Sequence, residues 1–167
     1  MRTALFPGTF DPFHNGHLEI VETAAKLFDH LVVAPMRNPQ KAEALFTLEE
    51  RKAMIADTVA HLPNVTLASF SSLVVDLARE VGADVIVKGL RVVSDFESEL
   101  QQAQMNKAVS GYETLFVPCS GEATFIASKY VRDFAHFGGA DRIGSMVPAP
   151  VLAMLKAKFP SGTTAQR

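Results

Sequence analysis

Apolar residues fall into short continuous runs that alternate with longer stretches in which they recur at helical spacing. The short runs, rich in β-branched side chains, predict strands at 3–6, 30–34, 65–70, 84–87 and 114–117. The longer stretches predict helices within 18–28, 48–62, 73–81, 96–103, 131–135 and 151–159. This alternation predicts an α/β protein with a Rossmann-like, doubly wound sheet of about five parallel strands and helices on both faces.

Local signals mark two helix boundaries. Thr47, followed three residues later by Glu50, forms a capping box at the start of one helix. Gly82 follows the helix predicted at 73–81 and is the residue type that commonly ends helices. Ligands in such folds bind at the carboxyl ends of the strands, near the point where the strand order reverses. We therefore expect the functional site in the segments 7–17, 35–46, 70–74, 88–91 and 118–129.

Composition bounds the class of protein. The 167 residues predict one domain over 1–159, followed by a C-terminal tail at 160–167 that we expect to be disordered. Apolar residues make up 48% and charged residues 20%, which excludes intrinsic disorder of the whole chain. The formal net charge of −2 excludes a nucleic-acid binder that works through bulk positive charge. A phosphate-binding site would need locally placed cations.

Cysteine content and hydropathy indicate the compartment in which the protein works. Cys119 is the only cysteine, so neither an intrachain disulfide nor a metal site built from several cysteines can form. Apolar runs all stay well below the length of a membrane span. These features predict a cytoplasmic protein with no membrane partner.

The segment after the first predicted strand carries the strongest chemical signal. Residues 7–17 read Pro-Gly-Thr-Phe-Asp-Pro-Phe-His-Asn-Gly-His, with a helix expected to begin near residue 15. Thr9 offers a hydroxyl at the strand end, and a helix N-terminus is a natural anion site. His14 and His17 lie three residues apart, on one face of the first helical turn. Two other interpretations stay open: capping or solvated histidines, and a metal pair, although no third ligand follows at a recognisable spacing.

This motif resembles the nucleotidyltransferase superfamily that carries His-x-Gly-His. Other segments are similar to the bacterial phosphopantetheine adenylyltransferase family, and the similarity runs from about residue 3 to about 159. They read Asn-Pro-Gln-Lys at 38–41, Phe-Thr-Leu-Glu-Glu-Arg at 46–51, Val-Lys-Gly-Leu-Arg at 87–91, Asp-Phe-Glu-x-Glu at 95–99 and Gln-x-Ala-x-Met-Asn at 101–106.

The resemblance implies an activity. ATP would give its adenylyl group to 4′-phosphopantetheine, forming dephospho-coenzyme A and pyrophosphate by in-line attack, without a covalent enzyme intermediate. It also implies Mg²⁺ bound with ATP, feedback inhibition by coenzyme A and a homohexamer. From the net charge we expect no nucleic-acid partner, and we expect no resident metal site.

The resemblance also implies roles for individual residues. Catalysis would fall to Thr9, His17 and Lys41, and 4′-phosphopantetheine would be bound by Thr9, Lys41, Val74 and Lys88. The implied ATP-binding residues are Thr9, Phe10, His14, His17, Gly89, Leu90, Arg91, Glu99, Ala123, Thr124, Phe125, Ile126, Ala127, Ser128 and Lys129.

Two positions depart from the family pattern. Lys88 stands where arginine is common, which keeps the charge but loses the bidentate fork. Residues 126–129 read Ile-Ala-Ser-Lys in place of Ile-Ser-Ser-Ser, so two hydroxyls are lost and a cation is gained. Lys129 either compensates at the γ-phosphate or points to solvent.

Alternatives remain at this stage. Another nucleotidyltransferase with the same motif, such as one acting on nicotinate mononucleotide, would use the same histidine chemistry. A nucleotide-binding module without turnover is the candidate from a different class. Taken singly, Lys41 and Lys88 are compatible with ordinary exposed lysines. Arg51 and Glu99 are compatible with helix-surface charges, and Val74 with a core residue.

Overall fold

Five strands form one parallel sheet, as the sequence predicts. The computed structural model describes residues 1–37, 44–69 and 72–160, and for 93–95 the backbone alone. The strands are β1 (Thr3–Gly8), β2 (His30–Pro35), β3 (Val65–Leu67), β4 (Val85–Leu90) and β5 (Thr114–Pro118). Their order in the sheet is β3-β2-β1-β4-β5, and every neighbouring pair is parallel. This confirms the predicted fold class.

The predicted helices are all present in the described residues. They are α1 (Asn15–Leu27), α2 (Leu48–Val59), α3 (Val74–Glu80), α4 (Val93–Ser110), α5 (Ser128–His136) and α6 (Ala149–Lys158). The capping box at Thr47 forms as predicted, and Gly82, with φ of 64°, follows the end of α3. A short 3₁₀ helix at Ala140–Ile143 was not predicted, and α4 is longer than its apolar spacing suggests.

Side-chain alternation along the strands divides the core between the two faces of the sheet. On β1, Ala4 and Phe6 join a large cluster with α1, α2, α5 and α6, whereas Leu5 faces a smaller cluster with α3. The helices therefore cover both faces, as expected for a doubly wound sheet. Among the residues that the structure describes, no helix combines the length and hydropathy needed to cross a bilayer.

The strand order reverses between β1 and β4, and this position locates the site. The ladder joins Ala4–Leu5 to Val85–Ile86, and both strands then continue toward their carboxyl ends. Helix α1 follows β1 closely and packs tightly across β4. The approach is so close that a Cβ on Gly89 would lie only 2.9 Å from Ile20 Cγ1. The N-terminus of α1 is thus brought to the carboxyl ends of these two strands.

Candidate active site

The His-x-Gly-His motif forms the first turn of α1. His14 is the N-cap residue, and its Nδ1 accepts a hydrogen bond from the Gly16 N–H at 3.1 Å. His17 Nδ1 in turn accepts from the His14 backbone N–H, also at 3.1 Å. The two side chains therefore make a reciprocal capping arrangement in which imidazoles replace the usual hydroxyl and carboxylate. Their rings stack with centroids 3.6 Å apart, which confirms that they share one face.

These hydrogen bonds assign the proton on each imidazole. A neutral histidine carries one N–H, and the nitrogen that accepts a backbone N–H cannot be the protonated one. Both Nδ1 atoms are acceptors, so Nε2 carries the hydrogen in both His14 and His17. His17, which is partly exposed, can therefore present Nε2–H as a hydrogen-bond donor at the site.

The surroundings keep both imidazoles neutral. Burial, together with the nearby Arg91 guanidinium, lowers the pKa of His14 to about 3. Burial is also the main cause that lowers the pKa of His17 well below its ordinary value, and His14 and Arg91 add to that shift. Because the charged form is disfavoured, neither histidine acts as a cation at neutral pH.

A cluster of aromatic rings supports His17 from the core side. The Phe10 ring meets His17 edge-on at 5.0 Å, and the Phe13 ring lies 5.3 Å from it. Phe10 has a positive φ of 49°, and its ring covers Gly8, where an added Cβ would lie 2.6 Å from a ring carbon. Phe10 is buried and supports the His17 ring, and its implied contact with the nucleotide stays a prediction.

Cations lie at the end of β4. Lys88 Nζ is 3.3 Å from Glu99 Oε2 of α4, and both side chains are largely shielded from solvent. Arg91, just past the strand, donates to the Ile126 carbonyl at 2.8 Å and is close enough to both histidines to shift their pKa. Gly89 and Leu90, which lie between them, belong to β4 itself. Glu99 is therefore a partly shielded charge that pairs with Lys88, and its implied contact with ATP stays a prediction.

The segment after β5 closes the other side of the motif. Ala123 and Ile126 are buried, and the Thr124 hydroxyl donates to the Gly121 carbonyl. Ser128 begins α5, and its hydroxyl donates to the Pro12 carbonyl at 2.9 Å, which ties this helix N-terminus to the motif loop.

Three further predicted residues complete this segment. Ala127 is the N-cap residue of α5, whereas Phe125 and Lys129 are exposed. The exposure of Lys129 fits the solvent alternative of the two, and its implied contact with ATP stays a prediction.

The remaining predicted residues lie on the β2 and β3 side. Thr9 is partly buried just after β1, and its carbonyl accepts from Arg51 Nη1 at 2.6 Å. Val74 begins α3 and packs against the smaller apolar cluster, in agreement with the core interpretation. Lys41 lies outside the described residues. The expectation that Arg51 is a helix-surface charge is wrong, since it is only 3% exposed.

Sequence reasoning missed the polar residues that brace this site. Asp11 is buried and accepts the backbone N–H groups of Leu45 and Phe46, and the Arg132 guanidinium donates to the Asp11 carbonyl. Their partners are 34 to 121 residues away in sequence, so no local pattern could have indicated them. Within the described parts of the chain, no group of three or more His, Cys, Asp or Glu side chains could hold a metal ion.

This arrangement is that of a nucleotidyltransferase. A parallel sheet with its switch point at β1 and β4, a histidine pair on a helix N-terminus and cations at the strand ends are suited to binding phosphates. Residues 5–134 match the model of the cytidylyltransferase-like family. A structure from Vibrio parahaemolyticus, provisionally assigned as a nicotinate-nucleotide adenylyltransferase, has the same fold, with a TM-score of 0.66 at 17% identity. The match covers 93% of this chain and 99% of that one.

Closer relatives identify the particular family. The chain is 47% identical to the phosphopantetheine adenylyltransferase of Synechococcus sp. (strain JA-2-3B'a(2-13)), over 94% of this chain and 98% of that protein. It is 44% identical to the enzyme of the same name from Alkaliphilus oremlandii, over 95% of this chain and all of that one. The protein therefore belongs to the phosphopantetheine adenylyltransferase family.

Proposed function

We propose that the protein transfers the adenylyl group of ATP to 4′-phosphopantetheine, giving dephospho-coenzyme A and pyrophosphate. The relatives that carry this activity in their names match nearly the full chain at 44–48% identity. The structural observation that carries the proposal is the neutral His17, whose Nδ1 is occupied by the His14 N–H and whose Nε2–H is left as a donor. That donor suits an oxygen on which negative charge grows.

The reaction needs no group on the protein to form a bond. A phosphate oxygen of 4′-phosphopantetheine attacks the α-phosphorus of ATP, and the bond from that phosphorus to the oxygen bridging to the β-phosphate breaks. Pyrophosphate leaves with the electron pair of that bond. Catalysis then comes from positioning and from stabilising charge on the α-phosphate oxygens, and His17 Nε2–H donates to one of them.

Each cation at the end of β4 would bind a different phosphate group of the two substrates. Arg91, which is tied to the Ile126 carbonyl beside the histidines, would bind the β- and γ-phosphates. Lys88 would bind the phosphate of 4′-phosphopantetheine and would exchange part of its contact with Glu99 for that phosphate. On a protein with a net charge of −2, such local cations would attract the two anionic substrates to the carboxyl end of the sheet.

The implied roles of Lys41 and Thr9 complete the proposal. Lys41 would contact the attacking phosphate and the α-phosphate, and Thr9 would offer its hydroxyl and N–H at the end of β1. ATP would bind as its magnesium complex. No carboxylate cage is present among the described residues, so phosphate oxygens and water would supply most of the Mg²⁺ ligands.

We also propose that the protein works in the cytoplasm as a homohexamer and that coenzyme A inhibits it. Apolar side chains on α4 and the edge strand β5 support a subunit contact, because Met105, Val109 and Leu115 are 65%, 63% and 49% exposed. Sedimentation analysis tests the assembly, and titration of the reaction with coenzyme A tests the inhibition.

An acceptor panel tests the proposed reaction. Pyrophosphate release is measured with ATP, Mg²⁺ and either 4′-phosphopantetheine, nicotinate mononucleotide or no acceptor. We expect release only with 4′-phosphopantetheine. Release with nicotinate mononucleotide would support the other nucleotidyltransferase, and no release with either acceptor would support a binding module.

A further inference from the structure

Arg51 lies beneath the active site and joins three separate stretches of backbone. Its Nη1 donates to the Thr9 carbonyl at 2.6 Å and to the Met36 carbonyl at 2.8 Å. Its Nε donates to the Phe46 carbonyl at 3.2 Å. Thr9 belongs to the loop after β1, Met36 follows β2 directly, and Phe46 comes two residues before α2. One buried guanidinium therefore contacts the catalytic loop and both ends of the connection from β2 to α2.

Asp11 makes the reverse connection between the same two segments. Its Oδ2 accepts from the Leu45 N–H at 2.8 Å, and its Oδ1 accepts from the Phe46 N–H at 2.9 Å. Asp11 is 5% exposed, and Met36 adds a backbone bond of its own to the Gly8 carbonyl. Charged side chains are rarely buried unless each of their polar atoms has a partner. These two are buried where they hold backbone rather than substrate.

We propose that Arg51 is a positioning residue of the active site, with Asp11 as its counterpart, and that together they hold the Thr9 loop in register with both ends of the β2–α2 connection. This inference rests on the proposed function, since the Thr9 loop leads into the histidine pair. By sequence, Lys41 stands midway between Met36 and Phe46, the two residues whose carbonyls Arg51 binds at either end of the connection. Arg51 and Asp11, which we call the clamp, thus relate the two segments that are to meet the reacting phosphates.

The geometry requires arginine at this position. A guanidinium is planar and donates from several nitrogens in fixed directions, so it can bind carbonyls on different segments at once. A lysine keeps the positive charge but has a single ammonium on a flexible stem. Arg51→Lys therefore preserves the charge and removes the simultaneous contacts to Thr9, Met36 and Phe46.

The test measures steady-state kinetics of Arg51→Lys at a temperature where circular dichroism shows the variant to be folded. Small misplacements of reacting groups can cost about 100-fold in rate, so we expect kcat to fall by about that factor while KM for ATP changes by less than about threefold. The control is Asn64→Ala. Asn64 also joins two carbonyls, those of Ala25 and Phe28, but at the opposite end of the sheet. It should lower the melting temperature and leave kcat within about twofold of the wild type.

Asp11→Asn provides a second variant if Arg51→Lys does not fold. An amide keeps one oxygen acceptor and loses the other, so one of the two N–H groups of Leu45 and Phe46 is left without its partner. We expect kcat to fall by about tenfold in this variant, again with KM for ATP little changed. An unchanged kcat in a folded variant of either residue would overturn the proposal.

Hydrogen–deuterium exchange separates this inference from the proposed function. In Arg51→Lys, or in Asp11→Asn if needed, exchange should rise in peptides covering 9–13 and 44–47 and stay unchanged in β4 and α6. If the wild type releases no pyrophosphate with 4′-phosphopantetheine, the proposed function is wrong, yet the exchange pattern still tests the clamp. Unchanged exchange in both peptides would overturn the clamp whatever the activity.

Discussion

His14 and His17 hold each other in place through the backbone as well as through their rings. The His14 N–H donates to His17 Nδ1, the His14 ring accepts from Gly16, and the two rings stack at 3.6 Å. The first turn of α1 therefore fixes both the orientation and the tautomer of His17. A group that is to donate a hydrogen bond during the reaction is thus set before any substrate binds.

The buried, neutral His14 should make folding stability depend on pH. Its pKa is about 3 in the folded protein, against 6.5 for an unperturbed histidine, so between these values the unfolded chain binds a proton that the folded protein excludes. Stability should therefore fall as the pH drops below 6.5, by about 1.4 kcal/mol per pH unit for this group.

His14→Asn, which keeps an N-cap acceptor for the Gly16 N–H, should reduce that dependence. Urea unfolding of both proteins between pH 7 and pH 5 measures the difference. Asn64→Ala, a change without a titrating group, should keep the wild-type dependence on pH. Equal dependence on pH in His14→Asn and the wild type would show that His14 is not held neutral.

Gly16 leaves little room for a side chain beside the His14 ring. An added Cβ would lie 3.0 Å from His14 Cε1 and 3.1 Å from His14 Nδ1, so the stacked ring would have to shift by a few tenths of an ångström. Alanine usually stabilises a helix relative to glycine, but Gly16→Ala should lower both the melting temperature and kcat. We expect kcat to fall by about tenfold or more, because the His17 donor would lose its alignment. Thermal melting and pyrophosphate release measure the two effects.

Gly121 provides the matched control for that change. A Cβ at this exposed glycine would meet no atom within 4 Å, so Gly121→Ala should leave both properties near wild type. If Gly16→Ala behaves as Gly121→Ala does, the close approach to the His14 ring does not matter for the reaction.

Lys88 should act on one substrate more than on the other. Its ammonium lies 3.3 Å from the Glu99 carboxylate, and this contact fixes the direction of the lysine side chain. Lys88→Ala should raise KM for 4′-phosphopantetheine by about tenfold or more and change KM for ATP by less than about threefold, since a charge-assisted hydrogen bond contributes about 1.5–3 kcal/mol. Lys107→Ala, which breaks the exposed ion pair with Glu113, is the control and should change neither constant. Equal increases in both KM values would contradict the assignment of Lys88 to the acceptor.

Lys129 stands where the family usually has a serine, and its side chain is exposed in the first turn of α5. Lys129→Ala should therefore leave the ATP dissociation constant within about twofold of the wild type, as expected for a side chain in solvent. Isothermal titration with ATP and Mg²⁺ measures it. A tenfold loss of affinity would instead place this lysine at the γ-phosphate.

Much of the fold could be predicted because its signals are local. The five strands are short apolar runs, α2 begins at a capping box, and the His-x-Gly-His spacing places both histidines on one turn. The bracing of the site could not be predicted in this way. Arg51 reads as one more charge on a helix, and its burial depends on carbonyls 15 and 42 residues away in sequence.

Phe10 shows the same limit from the apolar side. Its positive φ turns the ring over Gly8 and into the core beneath His17, and its implied contact with the nucleotide stays a prediction. A backbone conformation of this kind has no signature in the residue type, since a positive φ is uncommon for any residue with a side chain. The sequence therefore predicts which segments form the site but not how each side chain is turned.

The central claim is that His17 promotes direct transfer of the adenylyl group to 4′-phosphopantetheine. The most direct measurement uses ATP labelled at the α-phosphate and follows the label in the wild type, His17→Ala and His61→Ala, the last removing an exposed histidine far from the motif in sequence. The label should pass to dephospho-coenzyme A in the wild type and in His61→Ala. In folded His17→Ala the transfer should slow by about 10²–10³-fold, equivalent to about 2.7–4 kcal/mol of transition-state stabilisation. Label retained on the protein, or undiminished transfer in His17→Ala, would contradict this account.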